Sequence, residues 1–223
     1  MLDILEKHNS KFEYAGILFN IILAIQYFIL WYAPQPDQAE KIWSLGTLIF
    51  FEEIINISGM VMLLNGIPRK FKLLIGIPLL LGVGYVFNMI MTDNTLLILV
   101  IFVIINRLRF IFLETNKVLL KQMHRYTICA FVLCIFLMIL VGTAQKFNYI
   151  PNLGLTTEYI SVSGYDRLIQ EAHKKGFSGA FIHPEMLMCL GTLYYGTLIF
   201  VETGFLFHTK KLLLKPVEVT KNS

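Results

Sequence analysis

The stretch that decides the fold is IWSLGTLIFFEEIINISGMVMLLNGIP, residues 42–68. It is long enough to span the hydrocarbon core of a bilayer as a helix, which takes about 20 residues. Its only charges are Glu52 and Glu53. A charge at the centre of a membrane helix costs roughly 2.5–3.5 kcal/mol on insertion scales. Two adjacent acids facing lipid are therefore disfavoured, and the pair is expected to face a partner, a cavity or a proton source.

The rest of the chain has the same character. Of 223 residues, 56% are hydrophobic and 15% charged, and the mean hydropathy is +0.66. Soluble domains carry about 25% charged residues. The apolar residues come in runs of helical span length, and the alternating ten-residue segments of a membrane β-barrel are missing from the pattern. The expected fold is all-α: a polytopic membrane protein of six transmembrane helices in one bundle, residues 1–208, with a basic tail at 209–223. The expected spans are 14–33, 42–68, 73–92, 95–113, 126–145 and 184–208. The uncharged part of the fourth, 94–106, is short for a crossing, so five spans plus one re-entrant segment is the alternative. The first segment reads as a retained helix, because no A-x-A cleavage site follows it.

Lysine and arginine set the orientation. Lys7, Lys11, Arg69, Lys70, Lys72, Arg107, Arg109, Lys117, Lys121, Arg125, Lys210, Lys211, Lys215 and Lys221 fall on one side, 14 of the 19. Lys41, Lys146, Arg167, Lys174 and Lys175 fall on the other. The positive-inside rule places both termini in the cytoplasm, in a plasma or inner membrane. The net charge of +4 is accounted for by this sidedness rather than by nucleic-acid binding. The outer loop, 146–183, is expected to be partly helical. Ser163-Gly-Tyr-Asp166 has capping-box spacing, Gly176 offers a stop, and Leu168, Ile169 and Ala172 share a face that lies on the membrane or caps the bundle.

The polar residues inside the membrane carry the functional reading. Glu52, Glu53 and Asn56 form one sector of a helix, about 15–17 Å below its outer end for the two acids. Asn106, Arg107 and Arg109 come to a similar depth on the fourth span, and Glu202 on the sixth lies nearer the cytoplasm. A Glu–Arg contact between the second and fourth spans is expected, with one arginine snorkelling to the interface. Gly76, Pro78, Gly82 and Gly84 make the third span a packing or hinge helix. Thr192 and Gly196 are a small-residue pair suited to helix or subunit contact. Cys129, Cys134 and Cys189 all sit in apolar runs and read as small apolar filler.

Glu52-Glu53 is similar to the opening of the Glu-Glu-x-x-x-Arg motif of CAAX-type intramembrane proteases. The chain departs from that motif at Ile57, where arginine belongs, and its later apolar cores contain no histidine. His173, His183, Glu171 and Glu185 lack the spacing of a known metal site. No metal and no cofactor are expected. The first functional expectation is a non-enzymatic oligomeric channel or transporter with a buried Glu/Arg/Asn centre. The alternative is a membrane sensor, effector or anchor that docks a cytoplasmic protein on Lys117, Lys121 and Arg125. An intramembrane hydrolase or lipid-modifying enzyme is the third. The expected partners are the lipid bilayer, further copies of the chain and that cytoplasmic protein, with no nucleic acid.

Overall fold

The computed structural model describes residues 2–63, 117–174 and 183–213, with scattered positions between Pro68 and Val86. Among the described residues the chain is all-α. Helix α1 is Leu2–Tyr32, a 3-10 turn follows at Pro36–Gln38, and α2 is Ala39–Leu63. Helix α3 is Lys117–Lys146, α4 is Thr157–Val162, α5 is Tyr165–Lys174 and α6 is Pro184–Leu213.

Among the described residues three segments are long and apolar enough to cross a membrane: Glu13–Tyr32 in α1, Lys121–Lys146 in α3 and Pro184–Phe207 in α6. They coincide with the expected first, fifth and sixth spans. At 1.5 Å per residue even the shortest reaches about 30 Å, the thickness of a hydrocarbon core. Helix α2 has the length, at 25 residues, but carries Glu40, Lys41, Glu52 and Glu53. Of the expected 42–68 span, the helix is described to Leu63. Few positions of 73–92 are described, and 95–113 lies outside the described residues.

The outward faces are apolar, the reverse of a helix packed in water. On α1, Leu18, Ile22, Ile25 and Ile29 recur at helical spacing and are all exposed. Ile128, Val132, Ile135 and Ile139 repeat the same spacing on α3. The inward faces are set by the complementary positions, Leu23, Tyr27 and Leu30 on α1 and Ala130, Cys134, Leu137 and Val141 on α3. Such surfaces are solvated by lipid tails at no cost, whereas in water they make patches that drive association.

Helix α6 is central and packs against α1, α2 and α3. Its contacts fix the helix directions. Tyr27 stacks on Tyr195, and Asn20 bonds Glu202, so α1 and α6 are antiparallel. Tyr126 meets Phe205 and Gln145 bonds Glu185, so α3 and α6 are antiparallel too. Helix α2 runs with α6, since its start lies under the same cap and Asn56 reaches Tyr194 further along. Helix α2 therefore ends, and α3 begins, at the same end of the bundle.

The other end is capped by residues 147–174. Trp31 donates its indole N–H to the Pro151 carbonyl at 2.9 Å, and Gly154 N–H returns to Trp31 O at 3.0 Å. A Cβ at Gly154 would overlap Pro34 and come within 2.7 Å of the Tyr32 carbonyl, so only glycine lets the loop approach so closely. Tyr165, Leu168 and Ala172 form the buried face of α5, with Ile169 packed beside it, and the Tyr165 ring meets Trp43 edge-on at 5.8 Å. This helix caps the bundle. Burial, and then the neighbouring Glu185 carboxylate, raises the Tyr165 phenol well above its ordinary range, so it stays neutral.

The expected capping box at Ser163 does not form. Thr156 caps α4 instead, accepting from Tyr159 N–H at 3.2 Å, and Ser163 ends that helix. The Ser163 hydroxyl turns back to Ile160 O at 3.5 Å, and Gly164, with φ of +74°, makes the corner before α5. Gly176, the expected stop, lies outside the described residues.

Candidate functional site

The acids of α2 enter a polar centre to which four helices contribute. Asn56, 4% exposed, donates its amide to the Tyr194 hydroxyl at 3.1 Å. Glu53 faces α3, with the Cys134 thiol beside it. Its Oε1 oxygen is buried and has no hydrogen-bond partner among the described residues. Glu52 is close enough to Tyr27, Tyr194, Tyr195 and Cys134 to interact with each by charge.

Three tyrosines form the opposite wall. Tyr27 and Tyr194 are fully buried and Tyr195 is 1% exposed. The Tyr27 and Tyr195 rings stack with centroids 5.5 Å apart, and Tyr194 meets Tyr195 edge-on at 5.1 Å. Both separations suit attractive aromatic pairing. The Tyr27 hydroxyl donates to the Leu45 carbonyl, tying α1 to α2. The Tyr27 ring also lies directly over Gly191, where a Cβ would overlap it. Glycine at that position is what lets α1 and α6 close around the ring. The Tyr195 hydroxyl has no hydrogen-bond partner among the described residues.

Glu52, Glu53 and Asn56 are thus brought together as one sector. Asn106, Arg107 and Arg109, and with them the expected Glu–Arg contact, lie outside the described residues. Glu202 belongs to a separate contact in the α1–α6 seam. It accepts from Asn20 Nδ2 at 2.8 Å, and its carboxylate lies against Gly16, where a Cβ would be 2.5 Å from Oε1. The Thr192 hydroxyl bonds back to Met188 O at 2.8 Å, and Gly196 faces open space. Gly82 is open as well, Gly84 is buried and Pro78 is exposed, while Gly76 lies outside the described residues. Lys121 and Arg125 are exposed on α3, one and two turns after Lys117.

Cys134 is fully buried, as apolar filler should be, and it also lies beside Glu53. The tyrosines of the centre escaped the sequence reading. The available signal was the adjacent pair Tyr194-Tyr195 inside an apolar run, together with Tyr27 seven residues after Asn20.

A second polar group closes the capped end. Glu185, 6% exposed, accepts from Gln145 Nε2 at 2.8 Å and lies 3.1 Å from His183 Nδ1. Glu171 is drawn elsewhere, 3.9 Å from Arg167. Among the described residues no three His, Cys, Asp or Glu side chains come together to hold a metal ion.

Chemically, the α2 centre combines two carboxyls, an amide, a thiol and three phenols in a desolvated setting. Such a set can hold and release a proton or bind a small polar group. No family model, curated protein or solved structure matches this chain.

Proposed function

We propose that the chain is a multi-pass membrane transport protein of a plasma or inner membrane, and that its cargo is handled at the centre of Glu52, Glu53 and Asn56. The observation that carries this reading is the buried Glu53 Oε1, which has no partner among the described residues. Most buried polar groups that only glue helices together have their hydrogen bonds made, since an unmade one costs about 1–3 kcal/mol. An acceptor left open inside a bundle is kept for something that comes and goes. The tightly packed tyrosine wall favours a transporter that rearranges over a permanently open channel.

Reconstitution of the full chain into phosphatidylethanolamine–phosphatidylglycerol vesicles tests the reading. Fluxes of Na+, K+, Cl− and H+ are measured for the parent chain, Glu52→Gln and Glu53→Gln. At least one flux is expected to depend on these acids. Fluxes unchanged in both variants, each inserted and monodisperse, would sink the reading.

Two further elements belong to this proposal. Leu193, Gly196 and Phe200 make an outward apolar strip on α6 with room at the glycine, a surface for a second copy. Exposed Lys121 and Arg125 favour a second reading, in which a cytoplasmic protein docks on α3. Reversing both charges should then abolish co-purification of that protein while leaving flux intact.

A further inference from the structure

The transport reading leaves the cargo open, and the packing of the centre narrows it. Tyr27, Tyr194 and Tyr195 are at most 1% exposed, and Asn56 is 4% exposed. A metal cation needs six or more converging oxygens, or three or four firm ligands of mixed type. Among the described residues no three His, Cys, Asp or Glu side chains come together to hold a metal ion. A proton needs neither volume nor a coordination shell.

Two independent features show where it would lodge. One is the open Oε1 of Glu53. The other is the Tyr195 hydroxyl on a different helix, almost fully buried, without a partner, and in the field of Glu52 and Cys134. A phenol both donates and accepts, so it can answer either state of a neighbouring carboxyl. The titratable groups facing this centre are Cys134 on α3, which neighbours both Glu53 and Glu52, and Tyr27 on α1 with Tyr194 and Tyr195 on α6, which lie in the field of Glu52 and Cys134.

Building on the transport reading, we propose that the species handled at this centre is the proton, taken up on Glu53 Oε1, with Tyr195 as the hydroxyl that follows its arrival and departure. Uptake converts the Glu53 carboxylate to the carboxylic acid, and release restores it. No electron moves and no bond other than O–H forms or breaks. Glu53 takes the proton itself, whereas Tyr195 positions it.

The test uses the full chain in the same vesicles, with a trapped pH dye and a K+ diffusion potential set by valinomycin. The parent chain should acidify the lumen when the interior is negative. Glu53→Gln should fall to the rate of protein-free vesicles. Tyr195→Phe keeps the ring and its stacking, so it folds; it should slow the proton flux and shift its pH profile without altering thermal stability for the worse. Retention of full proton flux in Glu53→Gln would overturn the proposal. A Na+ or K+ flux that depends on Glu52 and Glu53, with no proton flux, would overturn it while leaving the transport reading standing. No flux of any ion would remove both.

Discussion

At the scale of single residues, the centre separates groups with opposite effects on stability. Asn56→Ala removes a buried interhelical hydrogen bond and strands the Tyr194 hydroxyl. It should cost about 0.6–2 kcal/mol, the range for such bonds in membranes. Tyr195→Phe removes a hydroxyl that bonds nothing among the described residues, and should leave stability unchanged or raise it. Unfolding in mixed micelles with rising SDS reads both, and a loss in Tyr195→Phe equal to that of Asn56→Ala would show that its hydroxyl is bonded after all. The glycines divide in the same way. Gly191→Ala must push into the Tyr27 ring and should cost about 1–3 kcal/mol, whereas Gly196→Ala meets open space and should be neutral. The acids and Asn56 were legible in the sequence because charge and amide stand out in an apolar run. Their neighbours were not. Tyrosine and cysteine in an apolar segment look alike whether they face lipid or a carboxylate, and only helix register decides which.

At the scale of elements, the α1–α6 seam repeats. Tyr27–Tyr195 and Asn20–Glu202 are each displaced by seven residues on both helices, which is two helical turns. A seven-residue step returns to nearly the same face, so one aromatic and one polar contact fix the register of the pair. Asn20→Leu leaves Glu202 without its amide donor in a half-buried position and should cost about 1–3 kcal/mol. In the double variant with Glu202→Leu the two losses should not add, and the shortfall in a double-mutant cycle measures the contact. Simple additivity would mean the bond contributes nothing. The cap shows where local patterns succeed and fail. The apolar face of α5 was readable from the spacing of Leu168 and Ala172. Its start was not, because the Ser163 hydroxyl bonds backward to α4 and Gly164 inserts a left-handed corner. A short polar side chain can satisfy either neighbour, and the sequence does not say which.

At the scale of the whole molecule, the directions of the helices bear on sidedness. The first, fifth and sixth apolar runs were readable from length and composition alone, since no acid interrupts their centres. Helix α2 was harder to place by composition, because its polar centre dilutes it. The end of α2, the start of α3 and the end of α6 lie together, and the cap lies at the far end. Positive-inside counting predicts that the shared end is cytoplasmic, since Lys117, Lys121, Arg125, Lys210 and Lys211 fall at that end of α3 and α6, against Lys146, Arg167 and Lys174 at the capped end. Two cysteines place this on trial. Tyr149 is 77% exposed in the cap, and Lys121 is exposed near the start of α3. The 26-residue segment Lys121–Lys146 between them rises about 39 Å, enough to cross with some tilt. In intact cells a membrane-impermeant maleimide should label Tyr149→Cys above the background of the parent chain. It should label Lys121→Cys only after permeabilisation. The reverse pattern would invert the molecule and place the Glu202 end of the seam outside. Equal labelling of both without permeabilisation would mean that α3 does not cross, and the apolar stripe of Ile128, Val132, Ile135 and Ile139 would then need a protein partner instead of lipid to cover it.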